Sequence, residues 1–182
     1  MDTALAATAF IAAGSNCADR LDHLTRAAQM LADTKDVLSV ESAPIYETMP
    51  VGPTGPGNFY NTVFRLSVRL SPLELWRRTQ AIESALGRPD VNDPGRAGAR
   101  NLDLDLLFYD DRCFQNEHLT IPHPRLHRRA FVLVPLCDLA PDWHHPELGH
   151  TVRELLDMLP NRLEMLGRID ADIRPLPLAT RA

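Results

Sequence analysis

The stretch Tyr60-Asn61-Thr62-Val63-Phe64-Arg65-Leu66-Ser67-Val68-Arg69-Leu70, followed at once by Ser71-Pro72-Leu73-Glu74, decides the fold. Tyr60, Thr62, Phe64, Leu66, Val68 and Leu70 share one parity; Asn61, Arg65, Ser67 and Arg69, with Val63, share the other. A period of two is the pattern of a half-buried strand. Ser as N-cap, Pro at the first helical position and Glu at the third then mark a helix start. That helix is predicted to run through Trp76, Thr79, Ile82 and Leu86 and to stop at Gly87.

Upstream, residues 7–13 read as a buried strand that turns at Gly14-Ser15-Asn16. A helix opened by Asn16 or by Ala18-Asp19 carries the stripe Leu21, Leu24, Ala28, Leu31. Residues 37–46 are predicted as a second strand and residues 47–58, rich in Pro and Gly, as a loop. Downstream come a second Pro/Gly loop (88–100), a strand (101–109), a turn at Asp110-Asp111 and a Pro- and His-rich connection (118–129). Helices are predicted over 130–139 and over 151–159, the latter with the capping pair Thr151 and Glu154. The expected class is α+β with a mainly antiparallel sheet: one domain over residues 1–160, then a loose tail, 161–182.

The chain has 182 residues, 45% of them hydrophobic and 24% charged, as in an ordinary globular domain. Net charge is −5, from 19 basic and 24 acidic residues, which argues against general nucleic-acid binding. Lys35 is the only lysine and sits in Asp-Thr-Lys-Asp, so a Lys-dependent phosphate loop is excluded. Phosphate would have to be held by arginine and metal. Cys17, Cys113 and Cys137 form neither a Cys-x-x-Cys pair nor a disulfide framework, and a cytoplasmic location is expected. The apolar start lacks a basic leader region, and no stretch approaches a membrane span.

The sharpest chemical feature is Arg100-Asn101-Leu102-Asp103-Leu104-Asp105-Leu106-Leu107. On a strand, Asp103 and Asp105 share a face with their Cα atoms roughly 7 Å apart, while Leu102, Leu104 and Leu106 enter the core. Two such carboxylates can hold one Mg²⁺, or bridge two ions about 3.5–4 Å apart that neutralise a polyphosphate. The same pattern also suits the solvated face of an exposed strand. Arg88, Arg96 and Arg100 precede the pair, and Arg125, Arg128 and Arg129 follow it. Guanidinium groups bind phosphate oxygens bidentately and stay charged. Phe59 and Phe131 could sandwich a flat heterocycle whose edge Asn61 would read, or could be core residues. His123 and His127 are four apart, but Pro122 and Pro124 argue against a zinc helix, leaving His123 as a phosphate or ribose donor.

Several motifs coincide in order and spacing with one family. They are Phe10-Ile11-Ala12-Ala13-Gly14-Ser15-Asn16, Tyr46-Glu47-Thr48, Val51-Gly52-Pro53, Phe59-Tyr60-Asn61 and Gln80-Ala81-Ile82-Glu83 with Gly87-Arg88. Residues 100–107, Ile121-Pro122-His123-Pro124-Arg125 and residues 129–136 complete them. Over about residues 8–160 the chain resembles the 6-hydroxymethyl-7,8-dihydropterin pyrophosphokinases of folate biosynthesis. The resemblance implies a ferredoxin-like αβα sandwich that transfers pyrophosphate from ATP to the pterin hydroxymethyl group, releasing AMP. It implies two Mg²⁺ ions on Asp103 and Asp105, and Arg88 and Arg100 stabilising phosphate charge, Arg88 from a closing loop. Gln80, Glu83, Leu106, Thr120, His123 and Arg129 would line ATP, with Leu106 at the adenine. Phe59 and Phe131 would enclose the pterin, and Asn61, Thr48 and Val51 would read its edges. No nucleic-acid or membrane partner is implied, and a monomer is expected. The chain departs from the family at Ala97 and Ala99, where Trp or Asn and Pro are frequent, at Asp90, where a basic residue is, and at His118. Two other readings fit the residues: a different Asp-x-Asp metal-dependent nucleotide transferase, and a non-catalytic pterin- or ATP-binding paralogue.

Overall fold

The computed structural model describes residues 5–17, 19–50, 57–87 and 100–175. In chain order the elements are β1 (Ala7–Ser15), α1 (Arg20–Ala32), β2 (Val37–Ser42), β3 (Tyr46–Thr48), β4 (Phe59–Val68), α2 (Pro72–Ala85) and β5 (Asp103–Tyr109). There follow β6 (Phe114–Gln115), β7 (Thr120–Ile121), a 3₁₀ turn (Leu126–Arg128), α3 (Ala130–Leu139), α4 (Val152–Asp157) and β8 (Met165–Arg168). One antiparallel sheet has the order β5-β1-β4-β3-β8, with β2 also paired to β4; β6 and β7 form a separate hairpin.

The alternation along β1 divides two cores. Ala9, Ile11 and Ala13 pack with Leu24, Ala28 and Leu31 of α1 and Leu75 and Ile82 of α2. Phe10 points the other way, joining Phe108, Leu133 and Leu136 of α3 and Val152 and Leu155 of α4. Helices thus cover both faces of the sheet, the ferredoxin-like αβα arrangement. The predicted capping boxes are formed at both sites: Ser71 with Glu74, and Thr151 with Glu154. Each N-cap is worth about 1 kcal/mol to its helix. Gly87 ends α2 at φ +83°, a conformation that favours glycine, and Asn101 Nδ2 donates to the carbonyls of Leu86 and Gly87 at 3.2 and 3.0 Å.

The structure corrects several boundaries. Residues 37–46 are two strands rather than one: they separate at Ala43-Pro44-Ile45 and pair with different stretches of β4. Glu47 and Thr48 belong to β3 rather than to a loop. Leu21 is on the exposed side of α1, and Ala27 takes its place in the buried stripe. Asn61 and Val63 are buried on the second face of β4, Val63 in the core under α3 and Asn61 in the wall of a cavity, while Arg65 on the same face stays partly exposed. β5 begins at Asp103, two residues later than predicted. The segment after Pro160, read as a loose end, adds β8 to the sheet edge beside β3 and buries Ile173. Among the described residues no helix is long and apolar enough to cross a membrane.

The second core carries a pH dependence. His145 is buried, and its Nδ1 accepts from the N–H groups of Glu147 and Leu148, both at 3.3 Å. Burial lowers its pKa below the ordinary 6.5, against the charge of Glu147. The unfolded chain therefore takes up this proton first as pH falls. The stabilisation is complete above about pH 6.5 and is lost as pH drops towards the folded value. Thermal unfolding between pH 7 and 5 should show a falling midpoint, by about 2–4 °C per kcal/mol lost. His145→Asn, which retains an acceptor without titrating, should flatten that slope, and an unchanged slope would refute the assignment.

Candidate active site

The site begins with the small residues of β1. In register across the sheet, Gly14 stands between Asn61 of β4 and Asp103 of β5, and Ala12 stands between Val63 and Asp105. Side chains paired across strands share a face, so two carboxylates and an amide rise around a floor that has almost no side chain. Two cavities meet there. The first, about 460 Å³, is lined by Gly14, Thr48, Phe59, Asn61, Arg100, Arg125, Arg128, Arg129 and Phe131. The second, about 400 Å³, lies beyond the β5 edge and is lined by Trp76, Gln80, Glu83, Leu106, His118, Thr120 and His123. Asp103 and Asp105 line both.

The pair is surrounded by cations. Arg100 Nη1 is bonded to Asp103 Oδ2. Asp105 Oδ2 lies 3.6 Å from Arg129 Nη1 and 3.7 Å from His123 Nε2. His123 Nδ1 accepts from the Arg125 N–H at 3.2 Å, so the neutral ring carries its proton on Nε2, towards Asp105. Burial lowers the His123 pKa, with Arg129 and Arg125 adding to it and Asp105 opposing, so the ring is neutral at pH 7. Burial also lowers the Arg129 pKa. Two carboxylates on one face supply hard oxygen donors of the kind Mg²⁺ accepts, because that ion commonly takes one or two carboxylates and completes its shell with water and phosphate oxygens. The donor set therefore fits magnesium.

Residues 10–141 match the model of the family described as 7,8-dihydro-6-hydroxymethylpterin-pyrophosphokinase (HPPK). The chain belongs to this family. Its reaction is accordingly pyrophosphoryl transfer in folate biosynthesis. The chain is 38% identical over 151 residues to a 2-amino-4-hydroxy-6-hydroxymethyldihydropteridine pyrophosphokinase of Synechocystis, covering 83% of this chain and 75% of that one. It is 36% identical over 154 residues to the folic acid synthesis protein fol1 of Schizosaccharomyces pombe, covering 85% of this chain but only 21% of that protein. In fold it is similar to the crystal structure of Plasmodium falciparum HPPK-DHPS, with a TM-score of 0.68 at 15% identity over 86% of this chain and 46% of that one.

Within this HPPK domain the predicted residues fall into place unequally. Thr48, Phe59, Asn61 and Phe131 come together in the first cavity, and Gln80, Glu83, Leu106, Thr120 and His123 in the second. Arg100 and Arg129, expected along ATP, line the first cavity beside the carboxylates. Arg88 and Val51, together with Asp90, Arg96, Ala97 and Ala99, lie outside the described residues. Glu83 is buried, and its Oε1 accepts the Leu104 N–H at 2.7 Å, so it holds β5 from below as well as lining the cavity. Glu83→Ala would leave that buried N–H unpaired, a loss of about 1–3 kcal/mol in chemical denaturation. Glu83→Gln keeps an acceptor and should recover most of it; equal losses in the two variants would show that the bond is unimportant.

Three residues were not assigned from sequence. Asn16 clamps the Arg100 backbone: its Oδ1 accepts the Arg100 N–H at 2.7 Å, and its own N–H donates to the Arg100 carbonyl at 3.0 Å. Gly14 leaves room for the Asn61 amide, since a Cβ there would lie 2.7 Å from Asn61 Oδ1 and that side chain would have to shift. Glu164 reaches the first cavity from beyond residue 160. The adjacency of Gly14 and Asn16 within one motif was a usable signal for the first two. No local signal marks Glu164.

Proposed function

We propose that this site transfers the pyrophosphoryl group of ATP to 6-hydroxymethyl-7,8-dihydropterin, with the pterin in the first cavity and ATP in the second. The observation that carries this reading is that the two cavities share Asp103 and Asp105 as a common border. In this reading the pterin ring lies between Phe59 and Phe131, and Asn61 reads its edge. Asn61 Nδ2 is already committed to Thr48 Oγ1 at 2.7 Å, which fixes the amide plane in advance. Adenine lies beside Leu106 and the stacked Trp76–His118 pair, whose rings are 5.3 Å apart and 5° from parallel.

Asp103 and Asp105 would hold Mg²⁺, two ions in the full complement. When bound, Mg²⁺ neutralises the polyphosphate charge and polarises its oxygens. Arg100 and Arg129 flank the carboxylates and are placed to stabilise charge on the transferring group. His123, neutral and with its Nε2 proton facing the border, donates a hydrogen bond to a phosphate oxygen. The hydroxymethyl oxygen attacks the β-phosphorus and gives up its proton to solvent, the bond from that phosphorus to the oxygen bridging it to the α-phosphorus breaks, and AMP leaves with that oxygen. Such transfer rests on alignment and electrostatics, so no side-chain nucleophile is needed. Intact Arg100, Asp103 and Asp105 weigh against a binding-only protein. Incubation with ATP, Mg²⁺ and the reduced hydroxymethylpterin should yield AMP and pterin diphosphate in equal amounts. Release of inorganic pyrophosphate or a nucleoside diphosphate instead would overturn the reading.

A further inference from the structure

We propose that Glu164 is a positioning residue that ties together the two walls of the first cavity and sets their spacing for the pterin ring. The inference rests on the assignment of that cavity to the pterin.

One wall is the end of β3, where Thr48 sits; the other is the first turn of α3, where Phe131 sits. These walls come from distant parts of the chain, and Glu164 bonds to both. Its backbone carbonyl accepts the Met49 N–H at 2.8 Å, one residue after Thr48. Its Oε1 accepts the Ala130 N–H at 3.2 Å, one residue before Phe131. The need on the α3 side is specific. Ala130 is buried, and Arg129, the N-cap, makes no side-chain capping bond, so this N–H takes its acceptor from another segment. A carboxylate is also the charge favoured at a helix N-terminus.

Glu164 is itself anchored. β8 pairs with β3 directly after it, with Met165 opposite Thr48. The preceding turn is held by Arg162, whose Nη2 donates to the Leu156 carbonyl at 3.0 Å. The glutamate side chain therefore acts as a strut of fixed length between a strand edge and a helix end. Cutting it lets the Phe131 end of α3 shift relative to Thr48, while the second cavity, which no residue of α3 lines, keeps its walls.

The test uses the full chain and steady-state kinetics with both substrates varied, together with fluorescence titration of the reduced hydroxymethylpterin in the presence of a non-hydrolysable ATP analogue. Glu164→Ala should raise the pterin KM and Kd about tenfold, while the ATP KM stays within about twofold. Glu164→Gln, which retains an acceptor oxygen at the same reach, should recover most of the pterin affinity. An unchanged pterin KM in Glu164→Ala, a parallel rise in both KM values, or a Glu164→Gln variant as impaired as the alanine would overturn the proposal. Failure of the unmodified chain to turn over or bind the pterin would instead overturn the assignment of the cavity.

Discussion

Asp105→Ala should reduce turnover by at least about 10³-fold, equivalent to a loss of roughly 4 kcal/mol of transition-state stabilisation. Asp105→Asn should be nearly as severe, because the amide keeps the shape of the carboxylate but not its charge. The fold should survive both changes. Asp105 is only half-buried, whereas its neighbours Leu104 and Leu106 remain in the core. Its 3.6 Å contact with Arg129 is a partly exposed ion pair, a class worth about 0–1 kcal/mol, and its 3.7 Å contact is to a neutral His123 ring. The unfolding midpoint should therefore move by no more than about 4 °C. A second readout separates electrostatics from misfolding. Asp105 raises the His123 pKa against the lowering effect of burial, so its neutralisation should move that pKa further down in an NMR titration. Retained activity in Asp105→Ala, or an unfolded protein, would contradict this account.

The chemistry was legible in the sequence where it depended on strand parity. Asp103 and Asp105 alternate with Leu102, Leu104 and Leu106, which places the carboxylates together by parity alone, and the leucines are all buried as that parity requires. The capping pairs at Ser71 and Thr151 were equally readable because they are local. What escaped was non-local. Asn61 and Val63 read as the polar side of a half-buried strand, but the second helical layer covers Val63 and Asn61 lies in the cavity wall. The edge strand β8 lies in a stretch whose only reason to be extended is the unpaired side of β3, which no local pattern announces. Arg100 is legible as a phosphate ligand, but its backbone clamp by Asn16 spans 84 positions. The resemblance to a family supplied the roles of Thr48 and Phe59. The register of β3 on β4, which pairs those two residues directly, supplies the reason they can act together.

Gly14→Ala is the other substitution with a large expected effect, and it would act on the pterin alone. The new Cβ would lie 2.7 Å from Asn61 Oδ1 if nothing moved, so something must shift. Gly14 lies in the middle of the sheet, paired to Asn61 on one side and Asp103 on the other, and its backbone has little room to move. The Asn61 side chain is the easier element to displace, at the expense of its bond to Thr48 Oγ1. An amide turned out of its plane can no longer offer donor and acceptor to one heterocycle edge. The loss of one or two buried hydrogen bonds predicts a pterin KM about 10- to 100-fold higher. The ATP KM should change little, since neither residue lines the second cavity. A double-mutant cycle decides whether the route is through Asn61. Asn61→Ala alone should raise the pterin KM by a similar factor, and Gly14→Ala added to it should do little more, because the atom it would strike is gone. Additive losses would mean that Gly14 acts by a separate path, through the floor beneath the carboxylates, where an added methyl group would also lower kcat.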